Sequence, residues 1–208
     1  MVLTLTLAGN AHGASATYLD EGDTTTASPW DVHALGYGYV TQSNGSYAVP
    51  VVTAERNGLH VEARYNYEDF YTASFWVGAV LAWDGALHGF VTPMIGATFG
   101  RTTGISPGVE AGVQWDIFEF YTEGQYVFDL YASNKSFMYY WTELTATILP
   151  WLEVGAVSQR TRVIRTDEDL VAGAFVGYVG KNSEFRIHVL EPGDNLYRYW
   201  ILSVDVKL

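Results

Sequence analysis

Cysteine is absent from the 208-residue chain, which excludes disulfides, thiolate metal centres and a cysteine nucleophile. Positive charge is scarce: 11 Lys and Arg stand against 23 Asp and Glu, a formal net charge of -12. Binding a phosphate backbone needs clustered Lys and Arg, so a nucleic-acid partner is excluded. Charge of either sign is low as well, at 16% of residues, where about a quarter is usual for a water-soluble domain. No stretch approaches the roughly 20 apolar residues of a membrane helix. Walker loops, dinucleotide-binding glycine patterns, G-x-S-x-G elbows and H-E-x-x-H motifs are all missing.

What the chain does have is apolar and aromatic surface: 49% hydrophobic residues, 15% aromatics, 21 Gly and 15 Tyr. Its length suits one domain. Any membrane surface must then be built from strands. The first residues read as an export-signal remnant over 1–16, with the apolar run Val2 to Gly9 and an A-x-A site at Ala14-Ser15-Ala16. An acidic, Thr- and Ser-rich lead-in follows over 17–29.

From Trp30 onward, period-2 segments are separated by turn signals. Twelve strands are predicted, near 30–42, 47–56, 59–70, 73–83, 86–99, 107–116, 118–131, 137–149, 151–164, 169–180, 184–191 and 196–208. Connections after even-numbered strands are tight: Asn57-Gly58, Asp84-Gly85, Asp116-Ile117, Leu149-Pro150 and Lys181-Asn182-Ser183. Asn-Gly and Asp-Gly suit two-residue hairpins because both tolerate positive φ. Connections after odd-numbered strands are longer and more polar, as in Ser43 to Ser46 and Arg165 to Asp169. Short turns at one end, longer loops at the other and an even strand count predict an all-β fold, a closed antiparallel up-and-down transmembrane barrel over 30–208.

The faces follow from the Asn57-Gly58 hairpin. Val52, Ala54, Val61 and Ala63 share one face, which Tyr65 and Tyr67 are expected to continue; Glu55, His60, Thr53, Glu62 and Arg64 share the other, continued by Asn66 and Glu68. Phe118, Phe120, Tyr126 and Phe128 likewise alternate with Glu119, Tyr121, Glu123 and Gln125. Segment 73–83 is apolar on both faces, and alternation leaves its orientation open. A barrel of about twelve strands is wider than side chains readily fill, so the apolar face is expected outside and a polar, hydrated face inside. Trp30, Tyr37, Tyr39, Tyr65, Tyr67, Trp83, Trp115, Tyr131, Tyr139, Tyr140, Trp141, Trp151 and Trp200 lie near strand ends, where interfacial girdles are expected.

At the C-terminus Trp200, Leu202, Val204, Val206 and Leu208 place an apolar residue at every second position up to the last. This resembles the terminal-strand signal of bacterial outer-membrane β-barrel proteins of the porin-like class, which usually ends in Phe. The resemblance implies outer-membrane localisation, outer-membrane lipid as solvent, and the barrel-assembly machinery as a partner of that strand.

Candidate functional residues are those expected to face the lumen: Glu55, His60, Glu62, Arg64, Glu110, Glu123, Glu143, Arg186 and His188, together with Gln114, Glu119, Asp205 and Lys207. If Asp116-Ile117 is a tight turn, Glu110 lies opposite Glu123, a pair that calls for a cation, an Arg or a shared proton. An acidic lumen raises the local cation concentration. The reading is therefore a narrow channel for ions or small polar solutes, cationic ones among them, with no large constriction loop. One alternative is a closed barrel plugged by salt bridges, with a structural or adhesive role; another is a lipid-active enzyme. The sequence gives little support to the enzyme. The His-x-Ser pair that resemblance to outer-membrane phospholipases would require is missing, and no His neighbours the acidic Asp167, Glu168 and Asp169 as an omptin-like protease would require. No metal, nucleotide or organic cofactor is implied by any motif.

Overall fold

The computed structural model describes residues 29–41, 45–132, 135–160, 170–194 and 197–208; the expected signal remnant, most of the lead-in and the acidic stretch 167–169 lie outside them. Strands β1 (Asp31–Thr41), β2 (Ser46–Arg56), β3 (Leu59–Tyr65), β4 (Thr72–Ala79), β5 (Leu81–Trp83), β6 (His88–Gly100) and β7 (Gly104–Trp115) make up the first half. The second half holds β8 (Phe118–Asp129), β9 (Phe137–Leu149), β10 (Leu152–Arg160), β11 (Val171–Val179), β12 (Ser183–Leu190) and β13 (Tyr199–Lys207).

β4 and β5 are two parts of one crossing. Both pair with β6 in a single register, from Thr72 opposite Gly100 to Trp83 opposite Gly89. The ladder lapses where Ala79 would face Pro93, which has no N–H to give. The wall is thus crossed twelve times among the described residues, every neighbour is antiparallel, and β1 pairs with β13 to close the cylinder. Closure leaves no edge strand, which a bilayer requires because it supplies no water to unpaired backbone groups.

The hairpin registers agree with the sequence reading. Arg56 pairs with Leu59, Glu55 with His60 and Thr53 with Glu62 across Asn57-Gly58. Both turn residues have positive φ, 51° and 77°. Glu110 does face Glu123 across Asp116-Ile117. Asp116 also has positive φ, at 54°. The start of β1 and the end of β13 lie at the short-turn end, where the Leu208 N–H donates to the Val32 carbonyl at 2.9 Å.

Val52, Phe75, Ile95, Phe120, Leu144, Ile187 and Leu202 form an exposed apolar belt around the outside. Trp30, Trp83, Trp115 and Trp151 ring the short-turn rim, while Tyr65, Tyr71, Tyr131, Tyr197 and Trp200 ring the loop rim, all exposed. Such a surface costs free energy in water and gains it in hydrocarbon flanked by headgroups. Segment 73–83 resolves with Phe75 and Val77 outward and Ser74 and Trp76 inward.

Three expectations are corrected. Tyr37, Tyr39, Tyr139 and Trp141 are buried inside and do not belong to a girdle, because each shares strand parity with a charged inward residue on its own strand. The third predicted strand ends at Tyr65, five residues early. Asn66 turns the chain at φ 59°, its Oδ1 accepting from the Tyr71 N–H at 2.8 Å, and Tyr67 folds into the lumen. Finally, the interior is not uniformly polar. Large aromatic and aliphatic side chains, among them Tyr37, Tyr139, Trp141, Val157, Phe175 and Ile201, form a cluster inside it, and their size fills a cylinder that smaller side chains would leave void.

Candidate functional site

Alternation on β3 sends His60, Glu62 and Arg64 inward together. Arg64 sits at the centre of a carboxylate cluster. One terminal nitrogen, Nη2, lies 2.6 Å from Glu62 and 3.4 Å from Glu110 on β7. The other, Nη1, lies 3.6 Å from Glu123 on β8 and 3.9 Å from Glu68 in the turn after β3. Its guanidinium stacks 4.4 Å above the Tyr67 ring and 5.0 Å from Trp76. Tyr67 donates to Glu123 at 2.6 Å, and Ser74 and the Trp76 indole donate to Glu68 at 2.7 and 3.2 Å. His60 Nδ1 lies 2.8 Å from Glu55 on β2. Five carboxylates therefore share one arginine and one histidine.

A second cluster occupies the opposite wall. Arg186 on β12 meets Glu143 on β9 and Glu153 on β10 at 2.5 Å each, and its own strand's Glu184 at 2.5 Å. His188 Nε2 lies 3.0 Å from Glu143. Glu153 and Arg186 reach one another across β11 because Gly177 is in register with both. A Cβ there would fall 2.3 Å from the Glu153 carboxylate.

Aromatic rings join the two clusters. Tyr67 contacts Tyr37 and Tyr139 at centroid separations of 6.3 and 5.1 Å; Tyr37 reaches Trp141 at 6.4 Å, and Trp141 meets His188 at 5.6 Å. Arg64 and Arg186 are 4% and 3% exposed and Ile201 is 0%, so side chains occupy the lumen at this level. At the short-turn end, His33 lies 2.9 Å from Asp205, and Lys207 lies 2.8 Å from Asp31.

All nine candidate residues, Glu55, His60, Glu62, Arg64, Glu110, Glu123, Glu143, Arg186 and His188, are buried in the interior. Asp205 is buried there too, Gln114 and Glu119 are half-buried, and Lys207 is exposed at the rim. They do not form one constellation; they divide between two arginines. Glu153, Glu184, Tyr67 and Trp141 were missed. Glu184 shares parity with Arg186 and His188, a signal the sequence carried; Glu68, placed on the charged face by alternation, is buried inside although the chain has left the strand there.

No family model and no curated protein matches the chain. Solved structures do. A KdgM porin in complex with disordered oligogalacturonate has TM-score 0.60 at 10% identity, covering 85% of this chain and 99% of that one. A second KdgM porin structure scores 0.58 at 11% identity, covering 85% and 99%. The outer membrane protein Omp33 of Acinetobacter baumannii scores 0.51 at 11% identity, covering 86% and 98%. At such identity the likeness is one of fold. The shared fold is a closed antiparallel barrel, crossed twelve times among the described residues, with an apolar exterior.

Proposed function

We propose that the chain is a narrow channel of the bacterial outer membrane for ions or small polar solutes, with a preference for cations. The observation that carries this reading is the excess of carboxylate in the lumen: Glu62, Glu68, Glu110 and Glu123 surround the single Arg64, and Glu55 pairs with the neighbouring His60. Acidic groups facing one another in a low-dielectric enclosure attract cations and repel anions. Oligogalacturonate, named with one of the similar barrels, is an acidic polymer, and this lumen opposes such a cargo by like charge. The likeness to porins supports a conducting barrel. Conduction requires the aromatic bridge at Tyr67, Tyr139 and Trp141 to move aside.

Planar-bilayer recording tests the proposal. A small, steady, cation-selective current is expected, and replacing both Glu110 and Glu123 by Gln should shift its reversal potential toward zero selectivity. Side chains filling the lumen favour one alternative, a closed barrel with a structural or surface-adhesion role. That alternative takes over if well-folded protein passes no current.

A further inference from the structure

Within the first cluster, one group of atoms is not explained by charge pairing with Arg64. His60 is 1% exposed and its Nε2 has no hydrogen-bond partner; Glu110 is 3% exposed and its Oε2 has none either. A buried polar atom left without a partner costs free energy comparable to a lost hydrogen bond. Arg64 Nε, Glu68 Oε2 and Gln125 Nε2 are unpartnered nearby as well, but His60 and Glu110 are the ones whose atoms can act together as metal ligands. With Glu62, these two residues bring one ligand atom each to within 4.8 Å of one another.

We propose that His60, Glu62 and Glu110 form a binding site for one divalent first-row transition cation, for which Zn2+ is the probe. The inference is independent of whether the lumen conducts. One imidazole nitrogen with two carboxylates is a donor set that suits zinc and its neighbours better than calcium or magnesium, which favour oxygen alone. Bonds of about 2.1 Å in a tetrahedron separate ligand atoms by about 3.4 Å. His60 Nε2 and Glu62 Oε2 already stand 3.6 Å apart, so the remaining contraction falls to the Glu110 side chain. The other ring nitrogen is held in the manner a metal-binding imidazole needs. Glu55 accepts from Nδ1 at 2.8 Å, which keeps the proton there and directs the Nε2 lone pair at the site. The surroundings are negative beyond what Arg64 offsets, with Glu68 and Glu123 at the far side of its guanidinium. Arg64 itself competes, since its Nη2 lies against both Glu62 and Glu110.

The competition fixes the signs of the test. Tag-free protein, folded in detergent and stripped with chelator, is titrated with Zn2+ by calorimetry. One equivalent should bind, more weakly as pH falls and the ligands protonate. H60A and E110Q should each weaken it at least tenfold. E55Q should weaken it roughly 10- to 100-fold, because it only orients the imidazole. R64Q should tighten it, an effect opposite in sign to general damage. H88A, at the exposed pair with Asp84, should change nothing. Absence of stoichiometric zinc binding by the wild type, or equal binding by wild type, H60A and E110Q, overturns the proposal. Should the variants fail to fold, X-ray absorption of zinc-loaded wild type decides: one imidazole with carboxylate oxygens supports the site, and a shell without imidazole overturns it.

Discussion

Arg186 holds carboxylates contributed by three strands, Glu143, Glu153 and Glu184, in an interior nearly closed to water. Removing the arginine from such a group leaves buried carboxylates without their neutralising cation, which costs far more than the group contributes to stability. R186M is expected to lower stability by about 3–5 kcal/mol in urea titrations of the detergent-folded barrel. Adding Glu143→Gln and Glu184→Gln to that variant should recover part of the loss, because it removes the uncompensated charge. Residues of this kind were legible as inward-facing from parity alone. Which arginine each carboxylate serves was not, because β9, β10 and β12 meet at that point only through the register of the whole wall.

At the scale of the element, glycine marks where two side chains share one volume. Gly96 on β6 lies beneath the Trp76 indole; a Cβ at that position would stand 2.4 Å from the ring. Trp76 is fully buried and held by Glu68 and Ser74, so it has little room to yield. G96A should therefore destabilise the barrel by about 1–3 kcal/mol, the usual cost of overpacking, with a change in tryptophan fluorescence reporting the displaced ring. Turns give the contrasting case. Asn57 has φ 51°, a conformation that Asn tolerates and most residues resist, and its hairpin register followed from sequence. The turn after β3 did not, since Asn66, Tyr71 and the carbonyl of Thr72 close it through contacts no alternation describes.

Across the whole molecule, the apolar belt and the two aromatic rims define a slab that matches a bilayer. Val52, exposed midway along β2, should carry the depth-dependent penalty of a lipid-facing site. V52R is expected to cost about 2–4 kcal/mol in lipid vesicles, measured by reversible unfolding in denaturant, whereas the same change at the rim position Leu59 should cost less than about 1 kcal/mol. The interior shows the opposite logic. Its large rings fill the width that twelve strands create, and its ionisable groups gather where glycines and small residues let strands' side chains meet.

Strand number, antiparallel order, hairpin registers and the in-or-out sense of most residues were determined by the sequence itself, because period-2 alternation and positive-φ turn residues are local properties that each strand and hairpin carries alone. The orientation of Trp76, the inward turn of Tyr67 and the division of the lumen between Arg64 and Arg186 were decided only by the tertiary structure. Those contacts join residues from strands distant in sequence, and it is closure of the cylinder, with its stagger around the circumference, that sets which of them lie at the same height.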